Sequence, residues 1–218
     1  MAYDHEEQEQ LESLKAFWSR YGNIVTWTLI IALAAYAGYN FWNTHQRSKS
    51  VEASALYDEL LVSVEAHDNT KVQRIASDVE SKYGSTAYAQ MSALGAAKAA
   101  FEANDLKTAK SRLQWVIDNG NDEYKSIARL RMSGLLLDEK AYDQALKVLD
   151  ADIVPQYAAA VADRRGDVLV AQNKLPEART AYQKALEAMG EKNPGRQLVQ
   201  LKLDAIGGAP AAAPKAAA

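Results

Sequence analysis

The chain of 218 residues contains no cysteine. That excludes a disulfide framework and a thiol nucleophile, and leaves the chain neutral to the redox state of its compartment. Histidine is scarce too. His5, His45 and His67 share no spacing that would put two ligands on one helix face, and there is no HExxH. No G-x-S-x-G, phosphate-cradling glycine loop or dinucleotide fingerprint occurs. The acidic run Asp118 to Glu123 contains a glycine but lacks the length and closing glutamate of a calcium loop. It reads instead as a helix end, with Asn121 or Asp122 capping the helix that follows. Basic residues are interleaved with acids and the net charge is −3, so there is no footprint for nucleic acid. These absences point away from an enzyme and from any cofactor, metal or small-molecule substrate. They leave surfaces as the carriers of function.

Charge is missing from one long stretch. "GNIVTWTLIIALAAYAGYNFW", Gly22 to Trp42, has none, and Lys15, Arg20, Arg47 and Lys49 flank it. A bilayer-crossing helix needs about 20 apolar residues. Trp18 and Tyr21 at one edge, and Tyr39, Phe41 and Trp42 at the other, suit the two membrane–water interfaces. A cleaved secretory signal is the rival, because "AYA" at Ala35 to Ala37 resembles a cleavage site. The leader carries Asp4, Glu6, Glu7, Glu9 and Glu12, whereas signal leaders are short and basic, so a retained anchor is expected. Flanking positive charge is nearly even and does not set orientation. The simplest outcome is a cytoplasmic N-tail and an exported C-terminal domain. Ala34 and Gly38 form a small-xxx-small pair of the kind used in helix packing in lipid; the plainer account is that alanine and glycine are common in membrane helices. "LESLKAFW" places Leu11, Leu14 and Phe17 or Trp18 on one helical stripe. This fits a helix lying along the inner leaflet, a partner-binding helix, or an extension of the anchor.

From Val51 to about Ala205 the composition and apolar spacing are helical, with no strand-length alternation. Polar breaks fall at His67, Lys82, Glu102, Asp118, Asp138, Asp152, Gln172 and Gly190. Gly84, Gly120 and Gly190 suit the left-handed position that ends a helix, and Pro176 the first turn of one. Three segments, from Ala93, Arg129 and Ala162, align as helix, polar turn and helix. Ala109, Ala145 and Ala178 lie 36 and 33 residues apart. Twelve residues before each stands a small residue (Ala97, Ser133, Gly166), and four after each a large one (Leu113, Leu149, Tyr182). Ala185 completes the third and best unit. Small positions let paired helices approach and large ones fill the space between pairs. This is the mechanics of a tetratricopeptide repeat of about 34 residues. The pair from Ala53 has the right length but no alanine signature and reads as a diverged first hairpin. Pro194 to Ile206 would supply the closing helix that a solenoid end needs.

The expected fold is therefore all-α: one N-terminal transmembrane helix, then a tetratricopeptide-like α-solenoid of about four hairpins with a C-terminal capping helix. Residues 1–20 form the tail, 21–44 the anchor, 45–206 the repeat domain and 207–218 a disordered Ala/Pro tail. Tyr88, Arg129 and Arg165 fall on first helices. They are candidates for a partner groove, or else ordinary exterior and packing residues.

This layout resembles the YfgM family: an acidic tail, "AFWSRYGN" before a single anchor, "FWNTHQ" at Phe41 to Gln46, and "VADRRGDVLVAQNK" at Val161 to Lys174. The resemblance covers almost the whole chain and rests on layout plus these stretches, none of them catalytic. It implies an ancillary subunit of the bacterial Sec translocon, in the inner membrane, with its repeat domain in the periplasm. The implied partners are the SecYEG channel and PpiD, a membrane-anchored chaperone of the peptidyl-prolyl isomerase type, and the implied task is to assist proteins emerging from the channel. Two other classes stay open: a repeat scaffold for envelope assembly without a translocon role, and a direct holdase for unfolded exported chains.

Overall fold

The computed structural model describes residues 3–151 and 153–208, with the side chains of residues 3–8 left out of the description. Asp152 lies outside it, and so do residues 209–218 of the Ala/Pro tail expected to be disordered from 207 onward. The chain divides into two units, Met1–Val51 and Glu52–Ala218.

Helix α1, Tyr3–Glu65, occupies the first unit and continues into the second. Nothing breaks it, because the first proline in the chain is Pro155. The N-tail, anchor and start of the first hairpin, set apart in the sequence reading, thus share one helix, and "LESLKAFW" is its upstream extension. Between residues 9 and 45 every described side chain is exposed; Gly22 alone is covered, by the indole of Trp18. Thr26 and Thr28 donate their hydroxyls to the carbonyls of Gly22 and Ile24 at 2.7 and 2.8 Å. This back-bonding satisfies both hydroxyls within the helix itself.

In the second unit, residues 52–65 of α1 pair with α2 (Asn69–Tyr83), α3 (Ala87–Glu102) with α4 (Leu106–Asn119), α5 (Asp122–Asp138) with α6 (Tyr142–Leu149), and α7 (Ala158–Ala171) with α8 (Leu175–Ala188). A 3-10 turn at Pro155–Tyr157 precedes α7, and α9 (Arg196–Ala205) closes the stack on α8. No strand occurs among the described residues.

All four turns within hairpins share one construction. Asp68, Asp105, Ala141 and Lys174 donate their backbone N–H to the carbonyls of Ser63, Ala100, Leu136 and Leu169 at 2.8–3.0 Å. The residue before each, His67, Asn104, Lys140 and Asn173, has φ between 54 and 62°. That is the Schellman ending, which satisfies carbonyls left over at the helix end. The first hairpin is built like the others despite lacking their alanines. Gly84 and Gly120 do not occupy left-handed positions, contrary to the sequence reading: their φ values are −53° and −72°. Gly190 does not either, since Gly207 is the one described glycine with positive φ. Gly84 and Gly120 meet a different need. A Cβ would lie 2.8 Å from the Glu80 carbonyl oxygen at Gly84, and 2.6 Å from that of Val116 at Gly120.

Buried apolar residues form three clusters along the stack. Leu60, Val72 and Val79 centre the first, Leu113, Val116 and Val168 the second, and Tyr182, Val199 and Leu203 the third. Trp115 packs against both of the first two. A polar stitch crosses the same boundary. Arg112 on α4 donates to Glu80 at 2.7 Å and to the side chain and carbonyl of Gln73 at 3.0 Å, and Gln73 donates to the Ala96 carbonyl. Burial pushes the Glu80 carboxyl above its ordinary range, and Arg112 offsets only part of that.

Candidate membrane anchor and docking surfaces

Among the described residues α1 is the one helix long and apolar enough to cross a membrane, by length and composition. The uncharged stretch from Tyr21 to Gln46 spans roughly 39 Å at 1.5 Å per residue. This exceeds a hydrocarbon core of about 30 Å. Ala34 and Gly38 are exposed, and a Cβ at Gly38 would meet nothing within 4 Å. At 3.6 residues per turn they share one face, roughly opposite the stripe of Leu11, Leu14 and Trp18. One straight partner helix therefore cannot cover both.

In the repeat unit Ala97, Ala109, Leu113, Ser133, Ala145, Leu149, Gly166, Ala178, Tyr182 and Ala185 are all buried. The size relation is sharpest at Gly166, where a Cβ would overlap the ring of Tyr182. The Ser133 hydroxyl is buried without a hydrogen-bond partner among the described residues, so the position is occupied for its size.

The three groove candidates fall in different places. Tyr88 is half-buried, with its ring 5.9 Å from that of Tyr57, and packs against the first core cluster. Arg129 is half-buried on α5. Arg165 donates to Asp150 at 2.6 Å and lines a cleft of about 520 Å³ with Leu149, Ile153 and Lys184. A second cleft, of about 420 Å³, lies across the first helices α3, α5 and α7 and is lined by Lys98, Phe101, Arg131, Gly134 and Arg164 among others. Two of its arginines stand one or two positions from the anticipated ones. Each step along a helix turns the side chain by about 100°, which decides the face.

The closing helix carries a cluster that the sequence reading missed. Lys202 bridges Asp163 and Asp167, each at 2.8 Å, and the Tyr182 hydroxyl donates to Asp167 at 2.9 Å. Burial opposes the Lys202 charge, but its hydrogen bonds and proximity to the two carboxylates outweigh burial and hold its pKa above the ordinary lysine value. Burial, then the bond to Asp167, raises that of Tyr182. The 35- and 39-residue separations leave no local signal in the sequence. This cluster ties α9 to α7 and is structural.

A family model described as a tetratricopeptide repeat-like domain matches residues 15–208. The ancillary SecYEG translocon subunit of Neisseria gonorrhoeae is 32% identical over 208 residues, 94% of this chain and 100% of that protein. The protein of the same name from Haemophilus influenzae is 29% identical over 205 residues, covering 94% and 99%. That from Escherichia coli is 26% identical over 186 residues, covering 84% and 88%. No solved structure matches the chain. Fold and match together define the class: a tetratricopeptide repeat-like helical protein preceded by one long apolar helix. Within that class the chain belongs to the family of ancillary SecYEG translocon subunits, the YfgM family.

Proposed function

We propose that this chain is a non-catalytic adaptor of the Sec translocon, held in the bacterial inner membrane by α1. In this reading residues 1–20 are cytoplasmic, 21–44 cross the bilayer, and 45–206 form a periplasmic repeat domain followed by a tail at 207–218. The repeat domain binds a membrane-anchored periplasmic chaperone of the PpiD type and assists proteins leaving the SecYEG channel. The observation that carries the reading is the extent of the similarity. It runs through 94% of this chain and all of the N. gonorrhoeae protein, so it takes in the apolar helix and the repeats together. Tethering is the mechanism that suits this layout. Confinement to the membrane plane raises the effective concentration of the repeat surface beside the channel without any new contact.

The test is mild-detergent co-purification of the tagged full-length protein from its own membranes, read by mass spectrometry, beside a version ending at Ser50. Translocon subunits and a periplasmic isomerase should accompany the full-length chain, with the isomerase lost on truncation. Absence of every translocon subunit from the full-length sample overturns the reading.

A further inference from the structure

The cleft across α3, α5 and α7 combines three features. It is apolar inside: Leu113 and Leu135 line it from the core, and Phe101 lies 45% exposed at its side. It is held open by a glycine. Gly134 sits within α5, where glycine destabilises a helix relative to alanine. No packing demands it there, since a Cβ would meet only the end of the Arg164 side chain, at 3.8 Å. Stability is given up at a point where the consequence is open space.

The third feature is charge. Lys98, Arg131 and Arg164 line the cleft against one carboxylate, Asp138. Lys98 lies 3.5 Å from Glu102, and both are largely exposed, so that pair is weak. Arg164 approaches Asp167 at 3.8 Å, but Asp167 already accepts from Lys202 and Tyr182. Arg131 donates to the Leu94 carbonyl at 3.3 Å, a neutral acceptor, and has no ion-pair partner among the described residues. Guanidinium groups at the mouth of an apolar recess receive carboxylates in a planar, two-pronged geometry.

We infer that this cleft is a docking site for an acidic polypeptide segment. One apolar side chain of the segment fills the space left by Gly134, and flanking carboxylates are received by Arg131, Arg164 and Lys98. The occupant is a partner polypeptide because the inference rests on the adaptor reading; the cleft specifies the chemistry of the segment that reading requires.

The experiment titrates the full-length protein in detergent micelles into fluorescein-labelled peptides and follows anisotropy. One peptide has a phenylalanine between two glutamates, a second has lysines in place of the glutamates, and a third has alanine in place of the phenylalanine. The first should bind at least about tenfold more tightly than either control. Gly134→Leu, which fills the cleft with a good helix former, should weaken it by a similar factor while the melting temperature does not fall. Arg131→Glu should weaken the acidic peptide and strengthen the lysine peptide, a reversal that loss of folding cannot produce. Equal binding of all three peptides, no binding, or binding unchanged by Gly134→Leu overturns the inference. Co-purification of translocon subunits with the Gly134→Leu chain reads the adaptor role separately. Subunits retained while the peptides fail sink the cleft alone; peptides bound as described, with no subunits accompanying the unaltered chain, sink the adaptor role alone.

Discussion

Replacing Gly166 by alanine tests the size relation between small and large positions that builds the hairpin stack. Gly166 lies in α7 and is buried. An alanine Cβ there would stand 2.8 Å from Tyr182 Cζ and closer still to two other ring atoms. The ring has little room to retreat, because Tyr182 is 3% exposed and its hydroxyl is bonded to Asp167. Overpacking of this kind costs about 1–3 kcal/mol. Losing a hydrogen bond to a charged acceptor costs roughly 1.5–3 kcal/mol if the ring swings away. Against these, alanine gains about 0.5–1 kcal/mol as a helix former. The net expectation is a loss of roughly 2–4 kcal/mol, or about 5–15 °C in Tm for a chain of this length. Gly134→Ala supplies the contrast. The same exchange in α5 meets no obstacle and should stabilise by about 0.5–1 kcal/mol. Urea unfolding of both variants in one detergent, followed by far-ultraviolet circular dichroism, measures the two signs together. Adding Tyr182→Leu to Gly166→Ala should restore part of the loss, with a coupling of about 1–2 kcal/mol. A Gly166→Ala chain as stable as the parent would refute the packing argument.

The helices and their breaks were legible because they rest on local chemistry. Polar turns such as His67 to Thr70 and Glu102 to Asp105 interrupt 3.6-residue apolar spacing, and interruptions of that kind need no knowledge of the rest of the chain. The left-handed positions were not legible, because the residue type alone does not report φ. Asn104 and Asn173 are plausible there in hindsight, whereas His67 and Lys140 are imposed by the turn that the hairpin requires. Gly84 and Gly120 looked like left-handed caps but serve close approach to a carbonyl, a distance no sequence displays. The candidate surface was the least legible part. Choosing between Arg129 and Arg131, or Arg165 and Arg164, needs the rotation of α5 and α7 about their axes. That rotation is set by packing against helices tens of residues away.

Three further expectations concern stability. Ser133→Ala should raise stability by about 1 kcal/mol, since it removes a buried hydroxyl that lacks a partner and adds a better helix former; a loss in thermal melting would mean that the hydroxyl is satisfied. Lys140→Gly should gain roughly 0.5–1 kcal/mol by relieving a side chain at φ 62°, and a fall in Tm would refute the strain. Glu80 should leave a mark in the pH dependence. Its carboxyl, raised mainly by burial, titrates in the folded chain above its ordinary value of 4.5. Between those two values the folded chain holds a proton that the unfolded chain has released. Its contribution to stability therefore rises as the pH falls through that window and levels off below about 4.5. Glu80→Gln removes the titration while keeping an oxygen acceptor for Arg112. The Tm of the parent minus that of the variant should then increase on acidification from neutrality towards pH 4.5. A difference that shrinks over that range would mean that the ion pair with Arg112 outweighs burial, so that Glu80 stabilises the fold through its charge.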